Sequence, residues 1–296
     1  MSIADDLQIA APDGRSIGVR IRGDRGARPL VYLHGQPGAR LEADVTLPND
    51  LLAEHGFFVV SVDRPGYGLS APTPVEDMTV GANDVIAVCD HLGIDTFAVM
   101  GFSAGCPHAL TLAASHPGRV GEVVLASMAG PQDDDTYLEG MEPDQLAEIR
   151  LLQAGRIEEV AESYAGVDEP FLTDPVAELT SWFAGFSLGE REWFRDPRVS
   201  SAFAADVRES VRQGVQGWLR ESLVQVLPWS FDLGSVRAPV RAFHGDLDTY
   251  EPIANAYRVI GQLPDAVLQV YPGLNHLGPI MHAEDLLKAC EGARGG

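Results

Sequence analysis

The sequence predicts an α/β fold built on a mostly parallel sheet. Helix-like segments separate a series of short apolar runs, and this alternation is typical of strands joined by right-handed helical crossovers. Continuous apolar runs of this length favour strands that are buried on both faces of a parallel sheet. The runs lie at 30–33, 57–62, 97–100, 123–126, 240–243 and 267–271.

A hairpin precedes these runs. Apolar residues alternate with polar ones at 7–9 and again at 17–21, and the turn sequence Pro12-Asp13-Gly14 lies between them. Such alternation across a turn predicts two antiparallel strands. Further along, the apolar spacing in Thr79–Leu92 and in 104–115 predicts helices that flank the sheet.

The pattern of strands is interrupted between Gly130 and about Val236. This segment carries helical stretches at 143–156 and 207–227 and no strand signal. We therefore expect a core domain of residues 1–130 and 236–296, with a helical cap, or lid, of residues 131–235 inserted before the penultimate strand. The cap holds all four tryptophans, which either form its own small core or face a substrate pocket: Trp182, Trp193, Trp218 and Trp229.

Composition narrows the range of partners. The 296-residue chain has a formal net charge of −22, which argues against nucleic acids and anionic membrane surfaces. Its three cysteines show no disulfide or zinc pattern, so we expect a reducing, cytoplasmic compartment. The first residues lack a basic and an apolar segment, so we expect no signal peptide. The sequence leaves open whether the chain forms a homodimer.

The stretch Gly101-Phe102-Ser103-Ala104-Gly105 joins a predicted strand to a predicted helix. A sharp turn there forces unusual backbone angles on Ser103 and requires small residues two positions to either side. The turn lifts the hydroxyl into the cleft beyond the carboxyl ends of the strands, and the helix N-terminus supplies N–H groups for an oxyanion. This arrangement predicts a nucleophilic serine.

The serine needs a base, and the base needs an orienting acid. Among the eight histidines, His276 follows the last strand and therefore lies at the edge of the sheet where Ser103 lies. His282 is its rival. The acid should follow the strand at 240–244, where the sequence offers three candidates that the residues alone do not separate: Asp246, Asp248 and Glu251.

With these motifs in order, the chain resembles the α/β-hydrolase fold superfamily, in the lid-bearing branch that includes esterases, epoxide hydrolases and proline iminopeptidases. The resemblance covers essentially the whole chain and implies an eight-stranded sheet. It rests on HGQPG (34–38), DRPGYGLS (63–70), GFSAG (101–105), HGDLD (244–248) and GLNH (273–276).

The resemblance also implies roles for particular residues. It selects Asp248 as the acid and gives the order Ser103, Asp248, His276. It implies an oxyanion hole formed by the backbone N–H groups of Gln36 and Ala104.

Two residues beside the nucleophile are candidates for substrate contact. We expect Phe102 and Cys106 to line the cleft, although a cysteine one turn beyond the nucleophile is more often a small buried core residue.

These features predict a serine hydrolase that acts on an ester, lactone or amide of a small, bulky, apolar molecule and needs no metal or organic cofactor. A nucleophilic serine departs from epoxide hydrolases, which use an aspartate, and HGQPG and GFSAG depart from the proline iminopeptidase motifs. Three alternatives stay open: an acyltransferase with the same acyl-enzyme, a lyase, and a non-catalytic receptor on this scaffold.

Overall fold

The computed structural model describes residues 4–74 and 77–292; the outermost residues of the predicted core domain, 1–3 and 293–296, lie outside the described residues. Eight strands form one sheet in the order β1-β2-β4-β3-β5-β6-β7-β8. Their bounds are β1 Asp5–Ala10, β2 Ser16–Gly23, β3 Arg28–Leu33, β4 Phe57–Val62, β5 Phe97–Phe102, β6 Val120–Ala126, β7 Val240–Gly245 and β8 Ala266–Tyr271.

The direction of the strands confirms the predicted fold class. Strands β1 and β2 form the expected hairpin, and β2 pairs antiparallel with β4. The six strands from β3 to β8 run parallel. Their carboxyl ends therefore meet at one edge, where the loops after them can form a shared site.

One strand differs from the sequence prediction. The run at 267–271 was expected to be buried on both faces, but β8 alternates between partly buried and exposed residues. The reason is its place at the end of the sheet, where no strand pairs with one edge of β8 and the flanking helices leave part of one face open.

Helices cover both faces of the sheet. On one face, helices α3, α4 and α12 contribute buried residues to one apolar cluster, and α1, α2 and α13 contribute to a second cluster on the other face. The helices span α1 Glu42–Thr46, α2 Asn49–His55, α3 Thr79–Leu92, α4 Gly105–Ser115, α12 Ile253–Ile260 and α13 Ala283–Cys290. None of the helices in the described ranges is long and apolar enough to cross a membrane.

Between β6 and β7 the described elements are all helical. They are α5 Pro143–Gln153, α6 Ile157–Ser163, α7 Asp168–Thr173, α8 Pro175–Trp182, α9 Leu188–Phe194, α10 Pro197–Ser210 and α11 Gln216–Gln225, with short 3₁₀ turns. The expected helical stretch at 207–227 is divided, because α10 ends at Ser210 and the chain turns before α11 begins at Gln216. Gly214, with φ of +79°, permits that turn.

Helix α11 is fixed tightly to the sheet domain. A Cβ on Gly217 would lie 2.5 Å from the backbone oxygen of Gly66, so the two backbones touch directly. One turn on, the buried carboxylate of Glu221 accepts hydrogen bonds from Arg64 Nε at 2.9 Å and His108 Nε2 at 2.8 Å. Both partners belong to the sheet domain, and this buried ion pair therefore joins α11 to the core.

Candidate active site

Ser103 lies in the sharp turn between β5 and α4. Its φ of +51° is in the left-handed region, which non-glycine residues adopt rarely and mainly where the surroundings enforce it. The turn is crowded on both sides: a Cβ on Gly101 would lie 2.6 Å from the Gly105 oxygen, and one on Gly105 would lie 2.1 Å from the Leu33 oxygen. The two glycines are therefore required by the backbone itself.

His276 and Asp248 lie together at the same edge of the sheet. Nδ1 of His276 is 2.8 Å from Oδ2 of Asp248. The other carboxylate oxygen, Oδ1, accepts the backbone N–H groups of Tyr250 at 3.0 Å and Glu251 at 2.9 Å. Asp248 is thus held as an acceptor on both oxygens, and it fixes the imidazole so that Nδ1 carries the proton.

The rival residues have other contacts. Asp246 accepts the backbone N–H of Gly273 at 2.6 Å, and the ring of His282 stacks on Tyr271 with centroids 4.3 Å apart. His244, at the end of β7, lies with Nε2 2.7 Å from the backbone oxygen of Glu251. The described contacts therefore bring Asp248, and not Asp246, to His276.

The loop that carries His276 is held from both the sheet and the cap. Ser127, itself at φ +51°, donates its hydroxyl to the His276 backbone oxygen at 2.6 Å. The buried carboxylate of Glu190, from α9, accepts the backbone N–H of Asn275 at 2.9 Å and that of Leu277 at 3.0 Å. Since these residues flank His276, the backbone on both sides of the imidazole is fixed.

The loop after β3 lies opposite the nucleophile. Arg64 donates to the backbone oxygens of His34 and Gly35, the latter at 2.8 Å. Gly35 in turn donates its N–H to the buried carboxyl of Glu42 at 2.8 Å. These contacts hold the backbone next to Gln36, one of the two residues expected to form the oxyanion hole.

All these elements border one cavity of about 1060 Å³ between the sheet edge and the cap. Ser103, His276, Gln36 and Ala104 line it, as does Phe102, whose ring lies 5.2 Å from the His276 ring. A volume of this size accommodates an organic molecule of moderate size. The serine, the imidazole and the two residues expected to supply the oxyanion donors therefore line a common space.

The comparison with known families agrees with this geometry. The model of the alpha/beta hydrolase fold matches residues 28–283. The chain belongs to the α/β-hydrolase fold family. A non-heme haloperoxidase of Rhodococcus erythropolis is 27% identical to this hydrolase over 284 residues, which cover 90% of this chain and 92% of the relative. A 2-hydroxy-6-oxononadienedioate/2-hydroxy-6-oxononatrienedioate hydrolase of Burkholderia vietnamiensis is 27% identical over 265 residues, or 88% of this chain and 84% of that protein.

Solved structures share the fold of this hydrolase. The enol-lactonase from Burkholderia xenovorans LB400 superposes with a TM-score of 0.66 at 18% identity and covers 95% of this chain and 97% of its own. A thermophilic esterase from Thermogutta terrifontis gives a TM-score of 0.67 at 21% identity, with 97% of each chain covered. At these low sequence identities the superpositions establish the fold alone.

Three of the four tryptophans of the hydrolase take the two expected positions, and Trp229 takes neither. Trp182 and Trp218 line the cavity, with ring centroids 6.0 Å apart. Trp229 stacks on Phe231 and packs against the sheet domain, whereas Trp193 packs on Phe203 in the cap.

Cys106 is placed behind the nucleophile instead of in the cavity wall. It is fully buried, and its Sγ lies 3.2 Å from the Gly101 oxygen and 3.4 Å from the Ala126 oxygen. Burial raises the pKa of this thiol well above its usual value. The expected contact with substrate is therefore not available to Cys106, and its place matches the alternative of a small core residue.

Two buried carboxyls of the hydrolase were not found by sequence reasoning. Glu42 and Asp206 both line the cavity, and Asp206 accepts the backbone N–H of Ala39 at 3.1 Å. Burial raises the pKa of Glu42 to about 7, although the Gly35 N–H opposes this shift, and burial together with Glu42 raises that of Asp206 well above its usual value. Of the two, only Glu42 has a sequence signal, which is its position four residues after HGQPG.

Sequence reasoning also missed the ion pair that supports the site. Arg64 lies within the DRPGYGLS motif, but its partner Glu221 comes from the cap, 157 residues away. Among the described residues, no group of three or more His, Cys, Asp or Glu side chains is arranged to hold a metal ion.

Proposed function

We propose that this protein is a serine hydrolase that cleaves an ester, lactone or amide bond through a covalent acyl-enzyme on Ser103. The observation that carries the proposal is the shared cavity: Ser103, in its enforced left-handed conformation, and the imidazole of His276, fixed by Asp248, line the same space. A nucleophile, a base and an orienter of the base form the combination that acyl transfer requires.

In the proposed reaction, His276 takes the hydroxyl proton as Ser103 attacks the carbonyl carbon. Asp248 stabilises the imidazolium, and the N–H groups of Gln36 and Ala104 stabilise the oxyanion. The protonated His276 then gives its proton to the leaving alcohol or amine. His276 then takes a proton from a water molecule as its oxygen attacks the acyl-enzyme, and it returns that proton to the Ser103 oxygen as the acid leaves.

The test is intact mass spectrometry after incubation with a fluorophosphonate probe. We expect one adduct on the native protein and none on Ser103→Ala, followed by turnover of members of a panel of esters, lactones and amides. Asp246→Asn serves as the control because that carboxylate contacts a loop N–H instead of the imidazole. A folded native protein that forms no adduct, or an adduct that persists in Ser103→Ala, contradicts the proposal.

The relatives support hydrolysis, but their substrates are not assigned to this chain. The hydrolase of Burkholderia vietnamiensis is named for a dioate, a substrate with two carboxylates. No lysine or arginine is among the described residues that line the cavity here. A dianion would therefore enter without a cationic partner, which is unfavourable in a partly buried site, and we do not propose it as the substrate.

A further inference from the structure

Acidic side chains are concentrated in the wall of the cavity. Six carboxyl groups line it, and none of the described lining residues is a lysine or an arginine. The other lining residues are mainly apolar and aromatic, so the described wall offers these groups no cationic side chain. The six are Glu42, Glu142, Asp144, Glu148, Asp206 and Glu251.

Glu251 is the most informative of the six. It is only 4% exposed, and its Oε2 has no hydrogen-bond partner. The Gly130 backbone and the Gln145 side chain hydrogen-bond to this carboxyl, but burial and the nearby Asp248 together raise its pKa well above the usual value. The neutral acid is therefore favoured while no cation is near, and a cation bound against Oε2 would favour the carboxylate, which is a buried acceptor that needs a donor.

A second unpartnered acceptor lies beside the nucleophile. The amide nitrogen of Gln225 donates to the Ala104 backbone oxygen at 3.2 Å and to Glu221 Oε1 at 2.8 Å. These two acceptors fix the orientation of the amide, so the remaining atom, Oε1, must be the carbonyl oxygen. It too is buried without a hydrogen-bond partner, and Gln225 lines the cavity.

Aromatic rings complete the surroundings. Trp182, Trp218 and Tyr250 line the cavity together with the carboxyls. The π-faces of tryptophan and tyrosine attract cations, most strongly where water is excluded. The whole chain carries a net charge of −22, which also favours the approach of cationic molecules.

We propose that the substrate of this hydrolase carries an ammonium group, which is bound by the unpartnered oxygen of Glu251 and the carboxyls around it. The inference rests on the proposed function, which it narrows to amine-bearing esters or amides with an apolar body. An ammonium supplies both the N–H donor that Glu251 Oε2 lacks and the positive charge that the wall lacks.

The test compares three 4-nitrophenyl esters of equal chain length: 6-aminohexanoate, heptanoate and the monoester of pimelate. Their acyl chains end in an ammonium, a methyl and a carboxylate group, respectively. Release of 4-nitrophenolate by the native protein is measured at pH 7 after subtraction of the spontaneous rate. We expect kcat/KM to be roughly tenfold higher for the ammonium ester than for the methyl ester, and lowest for the carboxylate ester.

Two variants test whether Glu251 is responsible for the preference for the ammonium ester. In Glu251→Gln, the ratio of kcat/KM for the ammonium ester to that for the methyl ester should fall toward one. Glu158→Gln removes the same charge from an exposed position on α6 that does not line the cavity, so it should keep the native ratio. As a measurement that needs no variant, n-hexylammonium should inhibit the native protein at about tenfold lower concentration than 1-hexanol does.

The outcomes separate the two proposals. Ester hydrolysis that is lost in Ser103→Ala but shows equal or reversed preference for the ammonium ester overturns the ammonium site and leaves the serine hydrolase in place. Hydrolysis that persists in Ser103→Ala overturns the proposed function. In that case calorimetric titration of n-hexylammonium into the native protein decides the ammonium site: binding at a millimolar or lower Kd supports it, and no binding overturns it.

Discussion

Replacement of Glu221 by glutamine tests whether the buried ion pair holds α11 to the sheet domain. Oε2 of Glu221 accepts from Arg64, and Oε1 accepts from His108 and Gln225. Both oxygens face donors, so the amide nitrogen that the substitution introduces would meet an N–H group in either orientation. Burial alone would raise the pKa of Glu221, but Arg64 and His108 hold it well below the usual value.

The expected loss of stability follows from the burial of the pair. Arg64 and Glu221 have side chains that are 3% and 0% exposed. Removing one charge of such a pair leaves the other buried and uncompensated, which costs about 3–5 kcal/mol. For a chain of this size about 1 kcal/mol lowers Tm by about 2 °C, so Glu221→Gln should unfold roughly 6–10 °C below the native protein.

Thermal unfolding followed by circular dichroism measures the effect, with Glu158→Gln as the exposed control. A double variant, Arg64→Met with Glu221→Met, removes both charges and should recover part of the loss, because no unpaired ion then remains in the core. A fall in Tm of less than about 2 °C for Glu221→Gln, equal to that of the control, would refute the role of this pair.

Three further predictions concern the site. Because the pKa of Glu42 is raised from 4.5 to about 7, its ionisation lowers the free energy of unfolding as pH rises between these values. Glu42→Gln should make this fall in the free energy of unfolding about 3 kcal/mol smaller, as measured by urea unfolding at pH 4.5 and pH 8. Gly105→Ala should lower stability by about 3 kcal/mol and abolish activity, because its Cβ would lie 2.1 Å from a β3 backbone oxygen. In the control Gly118→Ala, where no atom lies within 4 Å of the Cβ, native stability and activity should both persist. Asp248→Asn should lower kcat about 10⁴-fold without unfolding the protein, whereas Asp246→Asn should keep a rate near native.

Much of the architecture could be predicted because parallel strands and their helices carry local signals. The run 57–62 is apolar apart from Ser61 and forms β4 with the same bounds, and α3 spans Thr79–Leu92 as the apolar spacing indicates. The exposed face of β8 could not be predicted, because its apolar run does not show that the strand lies at the end of the sheet. Strand order depends on contacts between distant segments, and these leave no local pattern.

The candidate site also has one part that the sequence predicts and one part that it does not. The placement of Ser103 in a sharp turn and of His276 after the last strand could be predicted, because turn chemistry and position after a strand are local features. The surroundings were not predictable: Glu190 and Glu221 reach the site from cap helices and pair with loops far away in the sequence. A carboxyl on a helix is usually solvated, and only the assembled structure distinguishes these two buried ones from the others.

The close contact of Gly217 with Gly66 has a consequence for protein engineering. Helix α11 touches the sheet domain backbone to backbone, and a graft that replaced it would have to place a glycine against Gly66 and a carboxylate against Arg64 at once. Residues 143–182 carry part of the aromatic and acidic lining without that constraint. Because Glu190 of α9 holds the His276 loop and Asp206 of α10 holds the Ala39 N–H, chimeras with related hydrolases should exchange α5 to α8 and retain α9 to α11. Such an exchange would vary part of the substrate chamber while the catalytic floor is inherited unchanged.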